Sequence, residues 1–126
     1  MNYLIVFVGA GIGGALRHGA NVLGLRLAGE AFPFATLTVN ILGSFVMGLV
    51  AGTFMLKGDL SYSMRLFLAT GILGGFTTFS AFSLDAVALY ERGEPGMAAI
   101  YVAGSIILSI AGLWAGLGLV RAVLAT

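Results

Sequence analysis

FATLTVNILGSFVMGLVAGTFML, residues Phe34 to Leu56, carries no charged side chain from one end to the other. A helix needs about 20 apolar residues to cross the core of a bilayer, and a soluble helix of that length would show a polar face. This stretch has none, so it reads as a transmembrane span. Gly96 to Val120 is likewise uncharged. Leu66 to Leu84 is uncharged too and continues through Asp85 to about Tyr90, while Tyr3 to Leu25 is interrupted only by Arg17 and His18. The chain therefore reads as an all-α integral membrane protein, a single domain over residues 1–126 with spans at about 3–25, 34–56, 66–90 and 96–121.

The composition agrees. The 126 residues are 60% hydrophobic and 9% charged, with a mean hydropathy of +1.08, where soluble domains carry about 25% charge. Eleven charged residues (six basic, five acidic) cannot cover the surface of a small soluble domain. Without a basic cluster there is no footprint for nucleic acid, and without cysteine there is no disulfide or thiol chemistry. No constellation reads as catalytic, so an enzyme is not expected. The start of the chain lacks the basic residue and small-residue cleavage pattern of a signal peptide, and the first span is expected to stay.

Pro33 and Pro95 stand where the second and fourth helices should begin, a position at which the missing N–H costs nothing. Charge concentrates in the connecting segments, and Tyr3, Tyr62 and Tyr90 sit at interface depth. Lys57, Arg65 and Arg121 fall on one side against Arg26 and Arg92 on the other, so the positive-inside rule leaves both orientations open.

Tyr3 to Gly14 matches a strand followed by G-x-G-x-x-G, with Glu30 downstream, but a dinucleotide site needs a βαβ unit that uncharged spans do not offer. The same glycines, together with Gly48/Gly52 and Gly112/Gly116, read as close helix packing, because small residues let backbones approach where lipid supplies no hydrophobic drive.

Three polar constellations remain. Thr36, Asn40 and Ser44 recur every four residues on one face of the second span, and Tyr101, Ser105 and Ser109 do the same in the fourth. Hydroxyls can be satisfied by the carbonyl four residues back in their own helix, whereas an amide cannot be silenced so easily. The third is the segment from Thr70 to Ser83, where Gly74-Gly75-Phe76-Thr77-Thr78 is poor helix chemistry and predicts a break near Gly74 to Thr78. Irregular backbone at membrane depth must line a cavity or be buried in protein, and its freed carbonyls suit a monovalent cation. Phe79 and Phe82 share a face beside Ser80 and Ser83. The spans hold no carboxylate at mid-membrane, and Asp85 lies near a helix end, so proton coupling or binding of a cationic solute has no anchor. Hydroxyl and amide donors with electropositive ring edges instead suit a passive path for a small anion.

Phe34 to Phe45 and Thr70 to Ser83 resemble the two signature stretches of the Fluc/CrcB family of microbial fluoride channels, and Gly13 to Arg17 and the Tyr101 stripe are similar as well. The resemblance implies an antiparallel, dual-topology homodimer in the plasma membrane, the inner membrane of a bacterium. Such a dimer has two fluoride pores and a central structural sodium ion that is not transported, and it exports fluoride and so lowers its toxicity. Carried over, it makes Phe79 and Phe82 an aromatic box, Asn40 the pore amide, and Tyr101, Ser105 and Ser109 a polar track. Thr36, Ser80 and Ser83 join these as candidate pore residues. The carbonyls of Gly74 and Thr77 from both chains become the sodium ligands, and Arg17 falls at the pore mouth or helix interface. Ala35, Ala81, Asp85 and His18 depart from the common family pattern; His18 reads as a packing or interface residue. A small multidrug transporter shares the length and helix count but needs a first-helix glutamate, which is missing here. A helix-binding assembly subunit is the other alternative, and it would pass no ion.

Overall fold

The computed structural model describes residues 1–58 and 61–124. It contains α1 (Asn2–Ala28), α2 (Phe34–Lys57), α3 (Tyr62–Arg65), α4 (Gly74–Phe76), α5 (Ser80–Glu91) and α6 (Pro95–Leu124), with a π-helical segment, Leu66–Leu73, joining α3 to α4. From α3 to α5 the chain forms one interrupted span. Among the described residues, four helical runs are long and apolar enough to cross a membrane: Asn2–Ala28, Phe34–Leu56, Tyr62–Glu91 and Pro95–Leu124, of mean hydropathy 1.2, 1.9, 1.5 and 2.0. Asp59 and Leu60, within the charged second loop of the sequence reading, lie outside the described residues.

Helix ends follow local chemistry. Gly29, at φ 75°, stops α1 and returns its N–H to the Leu25 carbonyl at 3.1 Å. Pro33 precedes α2, and Pro95 is the first residue of α6. Arg92 ties the α5–α6 loop to the α1–α2 loop, donating to the carbonyls of Glu30 at 3.3 Å and Ala31 at 2.8 Å. Those two loops thus share one side, as an up-and-down arrangement requires.

The helices meet backbone to backbone. A Cβ on Gly48 would fall on the Leu113 carbonyl, and one on Gly116 would fall on that of Phe45, so at these two points the backbones of α2 and α6 touch directly. Likewise a Cβ on Gly13 would strike the Ile72 carbonyl, and one on Gly9 would lie 2.8 Å from that of Phe67. Gly11 and Gly14 meet open space. Alternate glycines of α1 therefore seat it on the π-helical segment, while the others face away. The outer surface is apolar, with Tyr3, Phe7, Ile107 and Trp114 exposed, as suits lipid as solvent.

One sequence expectation is moved. The Gly74-Gly75 pair is helical, and the interruption falls at residues 77–79, where Thr77 turns to φ −84°, ψ 158°. Gly75 serves packing: a Cβ there would fall on the Ala10 carbonyl. At the break, the N–H and carbonyl of Thr78 pair with the side chain of Asn40 from α2. A π-helix upstream of the break, separated from it only by α4, was not expected, although such turns gather at functional sites.

Candidate functional site

Where the third span opens, the α2 and α6 stripes converge on it. Asn40 and Ser44 from α2, Thr77, Thr78, Phe79 and Phe82 from the interrupted span, and Ser105 and Ser109 from α6 line one cleft of about 370 Å³. No Asp, Glu, Lys or Arg is among its lining residues. An ion entering it meets amide, hydroxyl and ring groups set among the apolar side chains of Met47, Ile106, Ile110 and Leu113.

The Asn40 side chain is held by the break. Its Nδ2 donates to the Thr78 carbonyl at 3.0 Å, and its Oδ1 accepts the Thr78 N–H at 2.9 Å. Nδ2 carries a second proton that this pairing leaves over. The Thr78 hydroxyl in turn accepts the Ala81 N–H at 3.1 Å and so caps α5. The positive end of that helix dipole stands at the cleft.

Phe79 and Phe82 lie edge to face, with centroids 5.6 Å apart at 61°. Phe79 is 78% exposed while Phe82 is buried, so the pair runs from the open rim of the cleft toward the core. Behind Phe82 stands Tyr101, fully enclosed, with ring centroids 5.3 Å apart. The Tyr101 hydroxyl donates to Asp85 Oδ2 at 3.1 Å. Ser105, 5% exposed, has a buried Oγ with no hydrogen-bond partner in the chain. An unpaired buried hydroxyl costs about 1–3 kcal/mol, so it marks a place where a ligand or water is expected to complete the bonding.

Other candidates fall elsewhere. Ser83 donates to the Phe79 carbonyl of its own helix at 3.0 Å, and the Ser80 hydroxyl lies 3.4 Å from that of Thr78; neither lines the cleft. Thr36 lines a second pocket of about 180 Å³ with Asn21, Glu30 and Asp85. Arg17 donates its Nε to the Gly75 carbonyl at 3.2 Å, a helix-interface contact at the end of α4. Gly74 and Thr77 flank the point where the helix opens; Thr77 directs both its N–H, at 3.0 Å, and its hydroxyl, at 2.9 Å, to the Leu73 carbonyl. The sequence reading did not single out Thr78 as the Asn40 partner, nor Asp85 as the acceptor from Tyr101. Both contacts join different elements, and no spacing announces them.

Comparison with known proteins places these features in company. The family described as CrcB-like protein, Camphor Resistance (CrcB), matches residues 4–117. A protein of Rhodopseudomonas palustris (strain BisB5) named fluoride-specific ion channel FluC is 59% identical over 123 residues, 98% of this chain and 99% of its own. The fluoride-specific ion channel FluC 2 of Nitrobacter hamburgensis is 55% identical over 121 residues, 96% of this chain and 98% of its own. A third, the fluoride-specific ion channel FluC of Agrobacterium fabrum, is 50% identical over 121 residues, 96% of this chain and 97% of its own.

Proposed function

The chain belongs to the CrcB family, an ion-channel and not an enzyme family, and from that premise we propose that it is a passive, fluoride-selective channel that lets fluoride leave the cell. The observation that carries this reading is the cleft: donors and ring edges converge there with no charged side chain among its lining residues. Fluoride is small and strongly hydrated, so a pore that admits it must replace water with several donors at once. The spare Asn40 proton, the unpartnered Ser105 hydroxyl and Ser109 supply donors, and the edges of Phe79 and Phe82 add a weaker electropositive wall. A fixed cation there would hold the anion too firmly for rapid passage, and a carboxylate would repel it.

The pore is completed in an antiparallel pair of chains, two pores to the dimer, in the plasma membrane. In support, the cleft is open on the surface of the single chain, and the loop charges barely favour either orientation. A structural sodium ion joins the two broken spans through the carbonyls of Gly74 and Thr77. The residues fit such an ion: the donors are uncharged carbonyl oxygens, suited to a hard monovalent cation, and among the described residues no trio of His, Cys, Asp or Glu gathers to hold a transition metal. When bound, the ion neutralises the partial negative charge of the opened helix end.

Asn40→Asp tests the path. The side chain keeps its shape but gains a negative charge beside the cleft, so fluoride flux from liposomes should fall to background while the assembled protein elutes as the wild type does. Undiminished flux would remove the amide from the ion path.

A further inference from the structure

Opening a helix in a membrane requires that the freed backbone groups find partners, or the helix recloses. In a continuous third span the Thr78 N–H would bond to the Gly74 carbonyl, four residues back. One residue earlier the four-back bond is made, since the Thr77 N–H reaches the Leu73 carbonyl at 3.0 Å. At Thr78 the pattern stops: its N–H goes instead to Asn40 Oδ1 at 2.9 Å, and its carbonyl accepts from Asn40 Nδ2 at 3.0 Å. A primary amide presents one donor and one acceptor side by side, so it can pair with both backbone groups of one residue as a neighbouring strand would. An aliphatic side chain can do neither, and a hydroxyl would have to make both bonds from a single atom.

We infer that Asn40 is a positioning residue for the broken span: by pairing with both backbone groups of Thr78 it withholds the Thr78 N–H from Gly74 and leaves the Gly74 carbonyl free for the cation. This rests on the reading of Gly74 as a sodium ligand, and it gives Asn40 a task besides lining the cleft. It also explains why the opening lies after Phe76 and not at the glycine pair. Asn40 reaches across from α2 to residue 78, and the Thr78 hydroxyl then starts the next helix by capping Ala81.

The test compares wild type with Asn40→Leu, which approximates the shape of asparagine and removes both ends of the clamp. In isotope-labelled protein in nanodiscs, the hydrogen-bond coupling between the Thr78 amide nitrogen and the Gly74 carbonyl carbon should be absent in the wild type and present in Asn40→Leu. Coupling in the wild type, or none in the variant, would overturn the inference. The second readout is the rise of Tm with sodium, measured against N-methylglucamine. Losing a residue that orients a ligand typically weakens a metal site about 10–100-fold, and the midpoint sodium concentration should rise by that factor in Asn40→Leu. An unchanged midpoint would count against the inference.

Thr78→Pro supplies the rescue. Proline has no N–H to offer Gly74, and the extended Thr77 backbone at ψ 158° suits the residue before a proline. The Asn40→Leu/Thr78→Pro protein should regain the sodium response relative to Asn40→Leu. Thr78→Val, which removes only the hydroxyl, provides the baseline for the lost cap. If Asn40→Leu does not fold, Thr78→Pro alone decides: a sodium midpoint like that of Thr78→Val supports the inference, and a lost response overturns it. A wild type indifferent to sodium would instead remove the cation from the proposed function, and the coupling measurement would still decide whether Asn40 holds the Thr78 amide away from Gly74.

Discussion

Replacing Ser105 by alanine separates what its hydroxyl does for the fold from what it does for an ion. The Oγ is buried and unpartnered within the chain, so it contributes no protein hydrogen bond that the variant would lose. Removing an unsatisfied polar atom is neutral or stabilising, and Tm in detergent should hold or rise. Fluoride flux should nevertheless fall about tenfold, since a hydrogen bond to a charged partner is worth about 1.5–3 kcal/mol. A lower Tm with unchanged flux would show the hydroxyl to be structural. Ser105 was legible in the sequence because its stripe with Tyr101 and Ser109 has nothing polar to face except protein or water. The stripe did not reveal its division of labour: Tyr101 is sealed behind Phe82 and engages Asp85, whereas Ser105 and Ser109 reach the cleft. Asn40 stood out for the number of its donors and acceptors, but its partner lies 38 positions away, on another helix.

At the scale of elements, the four spans followed from the scarcity of charge: Phe34 to Leu56 and Gly96 to Val120 carry none, and the other two hold only Arg17 with His18 and Asp85. The finer structure of the third span did not. Gly74 and Gly75 read as helix breakers on propensity, yet they are helical, and at Gly75 tertiary contact overrides propensity because its backbone touches that of Ala10. The residue at the break, Thr78, is paired with a side chain of another helix, Asn40, and the π-helical turns carry no periodic signature to read. The two glycine faces of α1 permit a matched pair of substitutions. Gly13→Ala drives a methyl into the Ile72 carbonyl and should destabilise by about 1–3 kcal/mol, as overpacking does. Gly14→Ala, one residue on, meets open space and should stay within about 1 kcal/mol of wild type, helped by the better helix propensity of alanine. Thermal unfolding in detergent checks both. Equal losses would show that α1 does not seat on the π-helical segment through this face.

At the scale of the whole molecule, the sparse charge acquires a purpose. With Lys57, Arg65 and Arg121 on one side and Arg26 and Arg92 on the other, the positive-inside rule favours neither orientation, as the proposed antiparallel pair would require of one gene product. Two lysines added to the second loop should force a single orientation and lower fluoride export, and co-expression with a chain of opposite bias should restore it. Full export from the singly oriented chain would count against the antiparallel pair. The central claim concerns the ion itself, and it is tested most directly in liposomes holding only the purified chain. Fluoride should leave them and chloride should be retained, with no response to an imposed pH gradient. Chloride efflux equal to that of fluoride, or fluoride efflux no faster than from protein-free liposomes, would contradict it.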